Sequence, residues 1–119
     1  MRRKDLVKKA DQLFSKYIRN KYAINGAVSC ITCGKTDEAR NMDAGHFIDR
    51  RWTGTRWNEK NVHPQCQHCN RFLDGNIEKY KEKLLSLYGE QVIEELDSEK
   101  HKEIDNAAIE LIIKQCSGR

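Results

Sequence analysis

Two C-x2-C pairs, Cys30-Ile31-Thr32-Cys33 and Cys66-Gln67-His68-Cys69, bracket a long insert in a chain of 119 residues. Two residues between ligands let one tight turn aim both sulfurs at one ion. Two such pairs complete a tetrahedral four-thiolate zinc site. Four protein ligands fill the shell, so such an ion is structural and leaves no position for water. Gly34, directly after the first pair, suits the left-handed turn of a zinc knuckle. The fifth cysteine, Cys116, reads as a small half-buried hydrophobe, and His68 as a side chain turned away from the ion. A second set of reactive types lies in and just after the insert: Asp43, His46, Asp49, Asn61, His63 and Asn70. An imidazole with an ordinary pKa near ~6.5 is a base at neutral pH. Carboxylate and amide oxygens suit a hard cation such as Mg2+. Phosphodiester hydrolysis needs a base for the water and a cation near the leaving oxygen, and these residue types supply both.

Such groups need elements to hold them. Leu6, Ala10, Leu13, Phe14, Tyr17 and Ile18 recur at helical spacing, which predicts an amphipathic helix over 4–22 that Asn25-Gly26 ends. Residues 28–73 lack helical periodicity until their end. Short β-capable stretches at Gly45–Ile48 and Asn61–His63 predict a small hairpin between the cysteine pairs. Helical stripes return at 77–88, with Asn76 as N-cap and Gly89 as stop, and at 90–96. A last helix carries Ile104, Ala107, Ala108, Leu111 and Ile112, with Asp97 or Ser98 as its cap. The fold class is α+β in one domain: a basic N-terminal helix (1–25), a zinc-stapled core (28–76) and a helical extension (77–119).

The composition fits a small core that needs a staple. Hydrophobic residues make up 38% of the chain and its mean hydropathy is −0.85. No apolar run approaches the ~20 residues of a membrane span. The basic Met1-Arg2-Arg3-Lys4 start is not followed by an apolar run or a small-residue cleavage site, so no secretory signal is read. A reducing compartment is then the expectation, and it favours metal over disulfides. The net charge of +4 is unevenly divided. Residues 1–22 hold eight Lys or Arg against two acids, and residues 77–119 hold seven against ten. The basic end points to a polyanion.

Asp43-Ala44-Gly45-His46-Phe47, Asn61-Val62-His63-Pro64-Gln65-Cys66 and Cys69-Asn70 together resemble the HNH (His-Me finger) nucleases. In that group a ββα-metal unit, treble-clef-like, is often held by paired cysteines. A narrower resemblance is to the phage lambda NinG (Rap) recombination proteins. It runs from Cys30 to about Tyr80 through Ala44-Gly45-His46-Phe47, Arg56-Trp57, Asn61-Val62-His63, Gln65-Cys66, Cys69-Asn70, Gly75-Asn76 and Tyr80. It implies a structure-selective endonuclease for branched DNA, such as Holliday junctions and D-loops. On this likeness His46 is the base. Asn61 orients it by holding the turn backbone or the imidazole, and His63 is a further catalytic or substrate group. Asn70 supplies an oxygen to a catalytic Mg2+ or Mn2+, beside a structural Zn2+. The family's usual acidic or His ligand just before the base is here Gly45. The second ligand is therefore Asp43 (given a bulge at Ala44-Gly45), His63 or Asp49.

Arg50, Arg51, Arg56, Lys60 and Arg71 cluster around this segment and suit phosphate contact. Trp57 is expected in the core, and Trp52 either in the core or stacked on DNA. The partner implied is branched DNA, met in the cytoplasm of a bacterial host by a phage- or prophage-encoded protein. Two nicks on a four-way junction make a homodimer plausible. The rivals are a non-catalytic zinc-bound DNA-binding module and a general HNH nicking enzyme without branch preference.

Overall fold

A computed structural model describes residues 1–118. Helix α1 (Arg3–Lys21) is followed by β1 (Ala27–Ser29) and β2 (Thr36–Glu38), then β3 (Asp43–His46) and a short α2 (Thr53–Arg56). β4 (Val62–Gln65), a wide π-helical turn at His68–Phe72, and helices α3 (Ile77–Tyr88), α4 (Val92–Glu99) and α5 (Asn106–Ser117) complete the chain. This is a mixed α+β domain with two small antiparallel sheets, β1–β2 and β3–β4.

The apolar stripe of α1 behaves as its spacing demands. Leu6, Ala10, Phe14 and Ile18 are buried, and they pack with Trp57, Val62 and Ile109 of α5. The far end of this helix pair is tied by Arg3, which donates to Asn106 Oδ1 at 2.9 Å and to the Ile104 carbonyl at 2.7 Å. Tyr80 and Leu84 of α3 meet Val92 and Leu96 of α4 in a second cluster that reaches Phe47 and Ile48. A third cluster is built largely of thiols: Cys30, Cys66 and Cys69 with Val28, Ala39 and Met42.

Several expectations are corrected. The strands begin earlier than Gly45 and end later than His63, because pairing runs from Asp43↔Gln65 to His46↔Val62 in unbroken register. No bulge at Ala44-Gly45 carries Asp43 inward. Pro64 sits within β4, where its carbonyl accepts from Ile31 N–H at 2.9 Å and ties the first cysteine turn to the second sheet. The last helix is capped by Asp105, whose side chain accepts from Ala108 N–H at 2.8 Å. Asp97 and Ser98 lie inside α4 instead. Asn76 occupies the N-cap position of α3 in a left-handed conformation, φ 48°, but its amide does not cap the helix. It donates to Cys69 Sγ at 3.6 Å. The β1–β2 hairpin is not anticipated at all. No helix among the described residues is long and apolar enough to cross a membrane.

Candidate functional site

The four cysteines meet. Their sulfurs all lie within 4.8 Å of one another, with Cys33 Sγ 3.7 Å from Cys66 Sγ. Four sulfurs at ~2.3 Å from one zinc stand about 3.8 Å apart, so the cluster could hold a zinc ion with little adjustment. Local backbone prepares the sulfurs for charge. Cys33 N–H points at Cys30 Sγ (3.5 Å) and Cys69 N–H at Cys66 Sγ (3.4 Å). Gly34, at φ +80°, turns the chain so that Cys30 N–H reaches the Lys35 carbonyl at 2.8 Å. Burial opposes ionisation of Cys30, but the Thr32 hydroxyl and nearby backbone donors bring it down to about 6. Burial pushes Cys66 up to about 12. His68 is not part of the cluster and stacks on Phe72.

Beside this cluster lies a cleft of about 620 Å³. α1 forms one wall through Asp11, Phe14, Ser15 and Arg19, and the start of β3 and the turn after Cys69 form the other. His46, Asp43, Asn70, Asp49, Arg50 and Arg71 all line it. His46, the last residue of β3, places Nε2 2.9 Å from the Arg56 carbonyl. A carbonyl only accepts, so Nε2 carries the proton and a neutral ring keeps its lone pair on Nδ1. Burial, and then the positive charge of Arg50, hold His46 below its ordinary value against the Arg56 and Ala44 carbonyls and Asp11. The ring is therefore neutral at pH 7, the form a base requires.

Asp43 and Asn70 are neighbours: the Asn70 amide donates to Asp43 Oδ2 at 2.9 Å. Arg71 grips both oxygens of the same carboxylate, at 3.0 and 2.9 Å. An aspartate beside an amide is an oxygen donor set that fits a hard cation, with Arg71 as its competitor. Asp49 is exposed and folded onto Arg51, whose guanidinium holds its carboxyl below the usual range.

Asn61 is fully buried, and its side-chain hydrogen bonds go to backbone rather than to the imidazole. Its Oδ1 accepts from Ile48 N–H (2.8 Å), and its Nδ2 donates to the carbonyls of Ile48 and Thr55, both at 3.0 Å. It thereby pins both ends of the loop that carries Asp49 and Arg50. Asn61→Ala removes the partner of three backbone groups at once, the Thr55 carbonyl buried and the two of Ile48 partly so. The expected cost is about 3 kcal/mol of stability, read as a lower urea midpoint with zinc retained. An unchanged midpoint would remove this role.

His63 does not enter the cleft. Side chains alternate along a strand, and the register sets His63 beside Gly45 on the face opposite His46. There it is buried in a chain of hydroxyls. Tyr80 donates to the Gly45 carbonyl at 2.6 Å, which leaves its oxygen to accept from His63 Nδ1–H at 3.1 Å. Tyr88 then donates to Nε2 at 2.8 Å. Burial, helped by the charge of Lys21, pushes His63 down to about 4, so it stays neutral. Its place is structural, locking α3 to the backbone next to His46.

The expected DNA contacts divide. Arg50 and Arg71 line the cleft. Arg56 turns inward, only 19% exposed, and pairs with Asp11 and with the Arg50 carbonyl. Arg51 is taken by Asp49, and Lys60 lies over the Tyr88 ring near Glu95. Trp57 is core and donates to Asp11 at 3.1 Å, whereas Trp52 packs edge-on against His101. Asp11, Ser15 and Arg40 are cleft residues that sequence reasoning does not single out. Positions 11 and 15 flank the buried Ala10 and Phe14, and that boundary placement is their signal.

Residues 1–117 match the family described as Bacteriophage Lambda NinG protein. The chain belongs to the NinG family. Protein ninG of Escherichia phage lambda is 33% identical over 100 residues, which cover 81% of this chain and 46% of that protein. Protein ninG of Escherichia phage 933W is 31% identical with the same coverage, and that of Salmonella phage P22 is 33% identical over 81% of this chain and 45% of that protein. The chain thus spans about half the length of the NinG relatives it matches. No solved structure matches. Within the NinG family, then, this chain carries a four-cysteine cluster and an arginine-lined cleft holding His46, Asp43 and Asn70.

Proposed function

We propose that this NinG-family chain is a metal-dependent endonuclease that hydrolyses phosphodiesters in branched DNA during phage recombination. The observation that carries it is His46, a neutral imidazole fixed by the Arg56 carbonyl, in one cleft with the Asp43–Asn70 pair. In this reading β3, β4 and the helical turn after Cys69 make a ββα-metal unit of HNH type. His46 Nδ1 takes a proton from water, the water oxygen attacks phosphorus, and the 3′ oxygen leaves. Arg50 and Arg71, with Arg19 and Arg40 on the flanking walls, hold the phosphates. Asp43 and Asn70 would hold Mg2+ or Mn2+, which supplies positive charge at the leaving oxygen when bound. Asn61 fixes the loop that carries Arg50. Zn2+ on the four cysteines is structural.

The reading sets the reaction in the cytoplasm of a bacterial host, with two copies acting on opposite strands of a four-way junction. Its test is incubation of labelled junction, D-loop, linear duplex and single strand with protein and Mg2+ or Mn2+. Cleavage confined to the branched substrates is expected. Equal cutting of linear duplex removes the branch preference. One observation favours the rival, a DNA-binding module without catalysis: Arg71 already occupies both oxygens of Asp43. Junction binding without cleavage under any divalent ion would establish that rival.

A further inference from the structure

The carboxylates of the cleft are not held alike. Asp11 is built into the fold by Arg56, Arg50 and the Trp57 indole. Asp49 is largely exposed and pairs with its near neighbour Arg51. Asp43 is 17% exposed, yet its partner Arg71 is 59% exposed and, among the described residues, donates to Asp43 alone. An exposed cation therefore covers a largely buried carboxylate, and that carboxylate is the one the catalytic reading gives to the metal.

Resting on that reading, we propose that Arg71 excludes divalent cation from Asp43 in the free protein and moves to a DNA phosphate on binding, so that cation and DNA bind cooperatively. The exchange is chemically matched. A guanidinium makes the same two-pronged contact with a carboxylate or a phosphate. The Arg71 end of the pair is exposed, so the guanidinium can turn from Asp43 to a phosphate that returns the two hydrogen bonds it gives up. Arg71 and Asp43 both line the cleft that the DNA enters. Once Arg71 swings to phosphate, Asp43 and the Asn70 side chain face the cleft without a competing positive charge. Coupling is reciprocal: a bound cation must strengthen DNA binding by the factor with which DNA strengthens cation binding. The consequence is a site that loads its metal more readily where there is a phosphodiester to cut.

The test follows Mn2+ by electron paramagnetic resonance in a His46→Ala background, which keeps the DNA intact, with and without a four-way junction. Mn2+ bound to the junction alone is subtracted. The junction is expected to raise Mn2+ affinity about tenfold, a typical allosteric coupling. Arg71→Gln is expected to give a similar rise without DNA and to lose most of the coupling. Arg71→Lys, which keeps the charge but not the two-pronged grip, falls between. Lys79→Gln removes an equal charge from α3, outside the cleft, and is expected to change little. Asp43→Asn is expected to abolish the bound signal. Zinc content and the thermal midpoint report whether each variant folds.

Arg71→Gln binding Mn2+ no more tightly than its parent overturns the proposal. So does an equal gain in Lys79→Gln, or Mn2+ binding unaltered in Asp43→Asn. If coupling is present but protein with His46 intact cuts no DNA, the exclusion mechanism stands and the catalytic reading fails. Cleavage without coupling sinks the exclusion mechanism alone.

Discussion

Cys69→Ser yields a protein that holds no zinc and has lost the order of its centre. The expected effect is large because a zinc ion held by the four cysteines would stand in for apolar packing that this part of the chain lacks. The cluster around the two cysteine turns consists of Cys30, Cys66 and Cys69 with Val28, Ala39 and Met42, and a partly buried Ala23 packs against it. Structural zinc contributes roughly 10–16 kcal/mol in small zinc-dependent peptides. A whole domain has about 5–15 kcal/mol of net stability. Removing one ligand therefore consumes most or all of the margin. Cys69 also anchors the turn that leads into α3. Its carbonyl accepts from Gly75 N–H at 3.0 Å, its sulfur accepts from Asn76, and Asn70 is its immediate neighbour. The cleft wall should fail with the zinc site. Metal analysis and circular dichroism of Cys69→Ser, beside wild-type protein treated with chelator, measure this. A zinc-free protein that melts at the wild-type temperature would show that the ion is not what holds the centre.

The second large effect is confined to chemistry. His46→Ala should lower the rate of junction cleavage by roughly 10²–10⁴, the range for loss of a positioned base, while zinc content and melting temperature stay near wild type. The pH dependence comes from the surroundings of the ring. A base works in its neutral form, so activity falls as pH drops through the His46 pKa and is flat above it. Burial, and then Arg50, lower that pKa, which puts the falling limb below the ordinary ~6.5. Arg50→Gln takes away one of the two lowering influences and should shift the limb toward higher pH. A pH–rate profile of both proteins reads the shift. Wild-type cleavage by His46→Ala would mean that another group is the base.

The elements that were legible in the sequence are those specified locally. The α1 stripe needs only its own 3.6-residue period, and its positions 6, 10, 14 and 18 are the buried ones. The cysteine pairs announce themselves by spacing. What escaped depends on pairing, register and element ends that the local pattern does not reveal. β1 and β2 are three-residue strands with polar members, and the tight turn between them, not their composition, brings them together. The direction of His63 is set by the register of β3 against β4, which no local pattern reveals. Arg56 reads as a cleft cation until Asp11, on the first helix, is found to claim it. Asp97, Ser98 and Asp105 are all competent caps. α4 runs on to Glu99, and the choice falls to Asp105.

One small feature bears on how such a chain can change over generations. A Cβ at Gly45 would collide with Gln65 Oε1 and lie 2.8 Å from Gln65 Cβ. Gln65 is itself fully buried and spans from Thr32 to the Gly75 carbonyl, joining the first cysteine turn to the second. A carboxylate therefore cannot appear at position 45 by one substitution. Gln65 would have to shorten in the same step, and the link between the cysteine turns would be lost with it. The two positions are bound into a single mutational unit. As long as they are, the acidic side chain that this strand offers the cleft is the one at its start, Asp43.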